Sequence, residues 1–357
     1  MTAEGERGRP AEGTVGATAT HAAEELRRLS AAVLEAVGTE PGCARVVGDS
    51  LVDANLAGHD SHGVIRLLGY VESVRGGHVD PAAEPVLVGR DRATARVDGQ
   101  WGWGQPAMRL ATEEAIGLAR RFGVGVAVVH RCYHIGRVAP YVEAIARAGM
   151  VGIALANAGP AVAPYGGRER VMGTNPIAWA VPRGEERDPL SFDVATAAIA
   201  EGKLRVARAK GERVAPGLIV DAEGNPSQEP DDFYAGGALL PFGGHKGYGF
   251  SLLAQILGRG LAGLDTAQLA TQRGVNGPLV LALEIAPFTP PERFVEAVEA
   301  QCEEISASPP VEGFASVLLP GEPEQRVRER RLVDGIPVAE RTWAELVALA
   351  GELGVTV

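Results

Sequence analysis

Short apolar runs alternate with stretches of helical periodicity along most of this chain, and the alternation limits the folds that it can adopt. The apolar runs have the length of buried strands, and the stretches between them repeat apolar residues at the spacing of an amphipathic helix. The predicted strands are 85–88, 93–97, 123–129, 151–156, 177–181, 279–285 and 315–319. The predicted helices are 21–38, 41–58, 61–74, 106–121, 141–148, 250–261, 292–305 and 343–353. Strands that alternate with helices predict a mixed α/β (α+β) fold.

The composition excludes several classes of protein. Of the 357 residues, 46% are hydrophobic and 22% are charged, which is ordinary for a globular protein. The 34 basic and 45 acidic residues give a net charge of −11, which is unfavourable for binding nucleic acid or an anionic membrane surface. Cys43, Cys132 and Cys302 lie far apart and predict neither a disulfide framework nor a metal centre. We therefore expect no nucleic acid, membrane or metal partner, and free thiols that suit a cytoplasmic compartment.

One polar face is predicted on the third helix. On a helix, His62, Arg66 and Tyr70 follow one another at intervals of four residues and therefore share a face. Arginine can hold a carboxylate through two parallel hydrogen bonds, and histidine exchanges protons near neutral pH. This face suits an anionic organic substrate, although an exposed polar surface capped by Ser61 explains the same residues.

A second polar group directly follows the predicted strand 123–129. It contains His130, Tyr133 and His134, and polar residues at the carboxyl end of a buried strand often carry function in α/β proteins. A metal site is disfavoured, because no carboxylate or cysteine stands at ligand spacing and two histidines alone are a weak signal. A histidine satisfied within its own loop is the structural alternative.

Two glycine-rich segments have features of phosphate-binding turns. Residues 102–107 have the form G-x-G-x-x-A, but the bulky Trp103 and the helix-starting Pro106 disfavour a Rossmann unit. Residues 243–249 combine glycines with Lys246, one of only three lysines, and exposed amides beside an ammonium group would suit a phosphate. Ordinary turns remain an alternative for both segments.

Taken in order, these motifs resemble those of one protein family. They are DSHGVIRLLGY (60–70), VDGQWGWGQPA (97–107), HRCYHIG (130–136), GTNPIAWAVP (173–182), DVATA (193–197) with GK (202–203), DAEGNP (221–226), LLPFGGHKGYGFSLL (239–253) and PGE (320–322) with GIP (335–337). Their collinear succession over residues 21–355 closely resembles the type-2 malate/L-lactate dehydrogenase family. That family is unrelated to the Rossmann-type lactate and malate dehydrogenases.

The resemblance implies a fold, a cofactor and a reaction. The implied fold is a family-specific, non-Rossmann NAD(P)-binding fold with a largely antiparallel sheet and helical N- and C-terminal segments. The implied protein is a cytoplasmic homodimer that uses NAD or NADP to transfer a hydride to or from C2 of a small 2-oxo or 2-hydroxy acid, such as malate or lactate. A cyclic imino-acid reductase, acting on piperideine- or pyrroline-2-carboxylate, is the alternative. A non-enzymatic binding protein is disfavoured because all the candidate site residues are present.

The resemblance also implies roles for individual residues. His62 and His134 match histidines that exchange the proton. Arg66 matches the arginine that holds the substrate carboxylate, while Ser61 and Tyr70 line the pocket. Because His62 would lie one helical turn from Arg66, we favour His134 as the group that exchanges the proton at C2. The residues that match dinucleotide-contacting segments are Asn157, Thr174, Asn175, Asp193, Val194, Ala195, His245, Lys246, Pro320, Gly321 and Glu322.

The sequence departs from the family pattern at a few positions. Ala197 replaces the serine of D-M-A-T-S, and Gln255 replaces a glutamate. Tyr133 and Ile135 replace the small polar residue and the aromatic residue of N-H-F-G. Because the last two changes border the predicted pocket, they bear on the identity of the substrate.

We predict three regions along the chain. Residues 1–20 are rich in Gly, Ala, Thr and Glu without apolar periodicity, which predicts a disordered tail with no secretory signal. Residues 21–90 form a helical segment that carries the S-H-G-x-x-R motif and packs with residues 290–357. Residues 91–289 form the cofactor-binding domain.

Overall fold

The computed structural model of this protein describes residues 18–184, 187–263 and 276–357. Its helices are α1 (Ala23–Ala36), α2 (Pro41–Leu56), α3 (Arg66–Arg75), α4 (Gly104–Phe122), α5 (Ala139–Arg147), α6 (Glu201–Lys210), α7 (Pro230–Tyr234), α8 (His245–Gln255), α9 (Pro291–Ser306), α10 (Glu322–Asp334) and α11 (Glu340–Glu352). Its strands are β1 (Thr18–His21), β2 (Val86–Asp91), β3 (Thr94–Asp98), β4 (Val124–His130), β5 (Met150–Leu155), β6 (Ile177–Val181), β7 (Leu190–Val194), β8 (Ile219–Val220), β9 (Pro226–Ser227), β10 (Ala238–Leu239), β11 (Leu279–Glu284) and β12 (Ile336–Ala339). A 3₁₀ turn, Asp60–His62, precedes α3, and α8 continues as a π-helical turn, Ile256–Gly260.

A seven-stranded sheet forms the centre of the fold, in the order β2-β3-β4-β11-β5-β6-β7. Its neighbouring strands are antiparallel except for β3 and β4, which run parallel and are joined through α4. A Rossmann unit needs a series of parallel strands joined by crossover helices. The predicted mixed fold class and the largely antiparallel sheet are therefore confirmed, and the G-x-G-x-x-A match at 102–107 belongs to the turn that starts α4.

Helices α4 and α5 cover one face of this sheet through small residues. Ala111, Ala115 and Ala119 of α4 are fully buried in the largest hydrophobic cluster. The approach is so close that a Cβ on Gly125 of β4 would lie 2.0 Å from the carbonyl oxygen of Ala115. Alanine and glycine thus set the distance between helix and sheet.

The N- and C-terminal segments share a second hydrophobic cluster. Leu26, Leu51 and Leu67, from α1, α2 and α3, pack together with Ile336 of β12 and Leu346 of α11. Strands β1 and β12 also pair in antiparallel register, which joins the first described residues to the last part of the chain. The division of the chain into domains stays a prediction, and β2 spans the position of its first boundary.

Two predicted segments differ from the structure. The strand predicted at 315–319 is wrong: the segment is irregular, and of its five residues only Leu319 is buried. An apolar run becomes a strand only where a neighbouring strand pairs with it. Residues 18–20 of the predicted disordered tail belong to β1, which β12 holds in place, while residues 1–17 lie outside the described residues.

Candidate active site

The 3₁₀ turn Asp60–His62 interrupts the third predicted helix. Asn55 of α2 explains the interruption, because its Oδ1 accepts a hydrogen bond from the backbone N–H of Val64 at 2.8 Å. A side chain from another helix thereby satisfies a donor that would otherwise need a helical partner. The structure places Arg66 as the first residue of α3. His62 therefore lies ahead of the helix, and the prediction that it shares a helical face with Arg66 is wrong.

Asp60, at the start of this turn, is held by the far end of the chain. Arg331 of α10 donates to both carboxylate oxygens of Asp60, at 2.7 and 3.0 Å, and to the carbonyl oxygen of Asn55. The neighbouring His59 ring lies 3.4 Å from the carboxylate of Glu324, also on α10. Bidentate pairing of this kind fixes geometry as well as charge, so α10 anchors the turn.

Two loops hold the backbone on which His134 stands. The N–H of Trp101 donates to the carbonyl oxygen of Arg131 at 2.6 Å, and the N–H of Tyr133 donates to that of Gly102 at 2.9 Å. Trp101 and Arg131 have positive φ angles of 63° and 51°. Such angles are costly for residues other than glycine and persist only where the surroundings enforce them. The strained backbone therefore places His134 with little freedom.

Helix α4 begins directly against this backbone. A Cβ on Gly104, the first residue of the helix, would lie 2.4 Å from the carbonyl oxygen of Tyr133 and 2.6 Å from that of His134. The preceding Trp103 is buried, and its indole N–H donates to Thr39 Oγ1 at 2.9 Å. Glycine at 104 is thus required by close approach to the loop rather than by a bound phosphate.

The structure brings the two predicted histidines together. The ring centroids of His62 and His134 are 5.6 Å apart, with the rings stacked at 27°. Ser61 Oγ lies 3.1 Å from His62 Nδ1, and Arg66 Nε donates to the carbonyl oxygen of Ser61 at 2.6 Å. The Tyr70 hydroxyl lies 2.8 Å from His134 Nδ1. The residues predicted to meet the substrate therefore form one cluster, built by the 3₁₀ turn, α3 and the loop after β4.

Burial and charge hold both imidazoles of this cluster in the neutral form. Burial, reinforced by the positive charge of Arg66, lowers the pKa of His62 to about 3. The same two causes lower the pKa of His134 well below its ordinary value. A carboxylate bound to Arg66 would cancel the charge that opposes protonation, so it would raise both histidine pKa values. The cluster can thus couple the binding of an anion to proton exchange.

The predicted cofactor residues at the end of β7 and at the start of α10 lie close to one another. Asp193 Oδ2 accepts hydrogen bonds from the backbone N–H groups of Val138 and Ala139, both at 2.8 Å, and so caps α5. A Cβ on Gly321, just before α10, would lie 3.0 Å from the carbonyl oxygen of Ser191. The predicted neighbours at this junction are partly exposed, namely Val194, Ala195, Pro320 and Glu322.

Asn175 has a structural task that its predicted role in cofactor binding did not include. Its side chain is fully buried, and its Nδ2 donates to the backbone oxygen of Ser251 at 3.0 Å and to Gln255 Oε1 at 3.1 Å. Its Oδ1 accepts from the N–H of Ala158 at 2.9 Å. Asn175 therefore shapes the loop and offers no exposed side-chain atom to a ligand. Gln255, one of the departures from the family pattern, takes part in this contact as an acceptor.

Asn157 and Thr174 also make hydrogen bonds that hold neighbouring loops in place. Asn157 is buried, and its Oδ1 accepts from the N–H of Gly277 at 2.7 Å. The carbonyl oxygen of Thr174 accepts from Thr196 Oγ1 at 3.0 Å, whereas the Thr174 residue is partly exposed. Of these two, only Thr174 has surface that a ligand can reach.

His245 and Lys246 begin α8 and are both exposed. Gly243 and Gly244 ahead of them have φ angles of 55° and 63°, and the ring of Tyr165 lies 6.0 Å from that of His245. Among the described residues, the ammonium group of Lys246 makes no hydrogen bond or ion pair, and no direct contact joins either residue to the histidine cluster. The N–H groups of Lys246, Gly247 and Tyr248 donate to the carbonyl oxygens of Gly243, Phe242 and Gly244. The first turn of α8 thus presents to a ligand one cation and the backbone N–H of His245, which has no partner within the described residues.

Two residues of the site were not predicted from the sequence. Gln105 is 1% exposed and donates to the Tyr70 hydroxyl at 2.9 Å. The side chain of Arg137 is 11% exposed; its nearest carboxylate in the described chain is Glu143 at 3.6 Å, and its charge lowers the pKa of His62. Gln105 stands in the segment interpreted as a simple turn, and Arg137 directly follows the HIG motif. The position of Gln105 inside one motif and of Arg137 directly after another were the available signals.

Neither a metal centre nor a membrane-spanning helix occurs in the described part of the chain. Within residues 18–184, 187–263 and 276–357, no three side chains of His, Cys, Asp or Glu come together as a metal ion would require. No helix in those same ranges combines the length and apolar character needed to cross a membrane.

Several known proteins are similar to this chain in both sequence and fold. Residues 21–347 match the family described as malate/L-lactate dehydrogenase. The L-sulfolactate dehydrogenase of Methanocaldococcus jannaschii is 35% identical over 339 residues, which cover 94% of this chain and 97% of that protein. The Δ1-pyrroline-2-carboxylate/Δ1-piperideine-2-carboxylate reductase of Pseudomonas putida is 34% identical over 334 residues, covering 92% and 96%. The structure of malate dehydrogenase from Pyrococcus horikoshii matches with a TM-score of 0.86 at 32% identity, covering 95% and 97%.

These similarities extend over nearly the whole chain and are not confined to one motif. The resemblance inferred from the ordered motifs is thereby confirmed, and the fold and the sequence point to the same group of proteins. The chain belongs to the malate/L-lactate dehydrogenase family and is an oxidoreductase that uses a nicotinamide cofactor.

Proposed function

We propose that this protein transfers a hydride between NAD or NADP and C2 of a small 2-oxo or 2-hydroxy acid of the malate or lactate type. One observation carries the proposal: Arg66 lies beside the two neutral imidazoles of His62 and His134. A guanidinium holds a carboxylate in a fixed plane, which places C2, one bond away, next to the imidazoles. A 2-oxo acid needs both a carboxylate grip and a proton exchanger at the neighbouring oxygen.

Each residue of the cluster has a task in this reaction. The bound nicotinamide supplies the hydride in reduction and accepts it in oxidation. Protonated His134 gives its proton to the C2 oxygen in reduction, and neutral His134 takes that proton in oxidation. His62 lies beside the carboxylate held by Arg66, while Ser61 and Tyr70 orient the two rings through their hydroxyl groups.

The cofactor would be held by two groups of residues outside this cluster. The exposed ammonium of Lys246, together with the side chain and the backbone N–H of His245 at the positive end of α8, suits the phosphates of a dinucleotide. The junction around Asp193 and Gly321 would hold the remaining part. The predicted cofactor residues in that junction are Asp193, Val194, Ala195, Pro320, Gly321 and Glu322. Asn157, Thr174 and Asn175 support the cofactor site chiefly by shaping its loops.

A cyclic imino-acid reductase is the second candidate. A cyclic imino acid also carries a carboxylate beside its reactive carbon, so the same arginine and histidine would serve it. The Pseudomonas putida relative named as a pyrroline- and piperideine-2-carboxylate reductase covers 92% of this chain at 34% identity. Tyr133 and Ile135, which depart from the family pattern beside the cluster, are the residues that would distinguish the two substrates.

A screen of oxo acids and cyclic imines with NADH and NADPH tests the proposed function. Consumption of the reduced nucleotide is followed at about 340 nm, the absorbance of reduced nicotinamide. We expect turnover of at least one compound that carries a carboxylate next to C=O or C=N. The absence of turnover, together with unchanged nicotinamide fluorescence on mixing with the protein, would contradict the proposal.

Replacing Arg66 by lysine tests the carboxylate grip. Lysine keeps the positive charge but cannot form two parallel hydrogen bonds, so kcat/KM is expected to fall roughly 10-fold or more. Steady-state kinetics on the best substrate give the measurement. Arg75→Lys is the matched control, because Arg75 lies at the other end of α3 and pairs with Glu352 at the surface. Unchanged kinetics in Arg66→Lys would remove Arg66 from the site.

Replacing Lys246 by alanine tests the cofactor site. Loss of the ammonium group is expected to raise the KM for the nucleotide roughly 10-fold, the scale of one charge-assisted hydrogen bond, while the melting temperature stays unchanged. Lys210→Ala, at the exposed end of α6, provides a control of equal charge. A normal nucleotide KM combined with a lowered melting temperature would make Lys246 a structural residue instead.

We also infer that a second copy of this chain covers the part of the outer sheet face that lies beyond Ala254 of α8 and Leu257, which pack near β4 and β11. On the face opposite α4 and α5, Val126, Leu281, Ile153, Trp179 and Phe192 form one register-matched apolar row across β4, β11, β5, β6 and β7. Ile153 and Phe192 in this row are 39% and 42% exposed. Such a continuous apolar row is typical of a protein interface, and it supports the homodimer that the family resemblance implies. Light scattering is expected to show a dimer in solution, and a monomer would contradict this inference.

We further propose a cytoplasmic location, with which the free cysteines are compatible.

A further inference from the structure

Two buried side chains form a hydrogen-bonded chain that ends on the ring of His134. Gln105 and Tyr70 are 1% and 2% exposed. Gln105 Nε2 donates to the Tyr70 hydroxyl at 2.9 Å, and this hydroxyl lies 2.8 Å from His134 Nδ1. Within the described residues, Gln105 and His134 are the only hydrogen-bond partners of the Tyr70 hydroxyl. The direction of each bond therefore follows from the donors that are available.

The direction of these bonds fixes the position of the proton on neutral His134. An amide NH₂ can only donate, so the Tyr70 oxygen is the acceptor of the bond from Gln105. The single hydroxyl hydrogen of Tyr70 must then go to His134 Nδ1, which accepts it with its lone pair. Neutral His134 consequently carries its own hydrogen on Nε2, the nitrogen that is turned away from this chain.

Protonation of His134 requires the chain to reverse. Both ring nitrogens of an imidazolium are donors, so Nδ1 would donate to the Tyr70 oxygen and the Tyr70 hydrogen would need another acceptor. Gln105 can supply one, because its Oε1 is buried and has no hydrogen-bond partner in the described chain. A half-turn of the amide places Oε1 where Nε2 was. Glutamine thus matches either direction of the chain. The reversed direction also holds the neutral ring that carries its hydrogen on Nδ1, which is the form left when Nε2 gives a proton to the C2 oxygen and the neutral form whose Nε2 can take that proton back.

We propose that Gln105 is a positioning residue that supports both protonation states of His134 through Tyr70. The proposal rests on the proposed function, in which His134 exchanges a proton with the C2 oxygen in both directions. A residue that could only accept would favour the protonated ring, and an apolar residue would favour the neutral ring. The amide is the side chain that permits the ring to alternate between the two.

The other groups around the chain do not provide this choice. Arg66 and His62 face His134 and oppose its protonation by charge. Arg66, Tyr133 and Tyr141 face Tyr70 electrostatically, but none of them is hydrogen-bonded to its hydroxyl. The charges of these groups always act on His134 and Tyr70 in the same direction. Gln105 is the partner whose hydrogen bond to Tyr70 can change direction.

Opposite substitutions at Gln105 give opposite predictions. The carboxylate of Gln105→Glu accepts the Tyr70 hydrogen and stabilises protonated His134, so the pH limb of kcat for reduction should move up by about one pH unit. Gln105→Met leaves the Tyr70 hydrogen with no acceptor except Nδ1, so the same limb should move down by about one unit. Thr112→Val is the matched control, because Thr112 is a buried residue of α4 whose hydroxyl, within the described ranges of the chain, donates only to the Met108 carbonyl oxygen at 2.8 Å. It should leave the limb in place.

Nitrogen-15 spectra of labelled histidines test the same idea without turnover. The His134 signals are assigned by their loss in His134→Ala. We expect the Nε2–H form in the wild type and in Gln105→Met, and the Nδ1–H form in Gln105→Glu. Limbs that move in the same direction, limbs that do not move, or an unchanged His134 tautomer in Gln105→Glu would overturn the proposal. If the wild type turns over no substrate, the proposed function fails, and the tautomer in Gln105→Glu still decides the role of Gln105.

Discussion

His134→Ala is expected to lower kcat by roughly 100- to 10,000-fold, which is the usual cost of losing a general acid or base. The reason is that the proposed reaction uses this imidazole to exchange the proton at the C2 oxygen. The same variant should lose one limb of its pH–rate profile, because the titrating group has been removed. Steady-state rates between about pH 5 and 9 measure both effects.

His62→Ala is the natural comparison for that experiment. Its ring is stacked 5.6 Å from that of His134, so both variants remove an imidazole from the same cluster. Since the proposed function places His62 beside the carboxylate, its loss should act more on KM than on kcat, in keeping with a positioning group. If His62→Ala alone erased the pH limb, the two histidines would have to exchange roles.

Gly104→Ala is expected to destabilise the protein by about 3 kcal/mol, the upper range for forcing an extra methyl group into a packed region. The added Cβ would lie 2.4 Å from the carbonyl oxygen of Tyr133, and backbone cannot move away as a flexible side chain can. The loop would have to shift, and His134 would shift with it. Urea unfolding measures the loss of stability, and kcat should fall in the same variant.

Gly117→Ala on the same helix is expected to do the opposite. Gly117 is exposed, and a Cβ there meets nothing within 4 Å. Alanine in an exposed helix interior is favoured over glycine by roughly 0.5–1 kcal/mol, so this variant should be slightly more stable than the wild type. Equal stabilisation by the two substitutions would show that helix propensity, and not contact with the loop, governs position 104.

Hydrophobic pattern predicted six of the seven central strands, all but β7, because their apolar runs pair within one sheet. The apolar run at 123–129 became β4, and that at 151–156 became β5, with shifts of about one residue. The pattern also failed at two segments outside the central sheet. Strand β1 is extended only because β12 pairs with it, and the apolar segment 315–319 stays irregular without such a partner.

The candidate site shows the same division between local and distant information. Short motifs identified His62, Arg66, Tyr70 and His134, because residue type and spacing carry their chemistry. The break in the helix at 60–62 could not be predicted, since it depends on a hydrogen bond that the Asn55 side chain accepts from the backbone N–H of Val64 and on the contact of Arg331 with Asp60. Gln105 was not predicted for a related reason. Its role depends on a hydrogen bond to Tyr70 on another helix, while its local sequence is that of a helix start.

The ion pair between Arg331 and Asp60 has a consequence for the newly made chain. The two residues are 271 positions apart, and Asp60 precedes every strand of the central sheet while Arg331 follows all of them. During synthesis the ribosome therefore releases the whole sheet before the guanidinium that fixes the turn becomes available. A polypeptide that stops short of α10 would still contain the residues that the proposed function places around the substrate. It would lack the arginine that holds the turn, so the site is completed only after the whole sheet has been made.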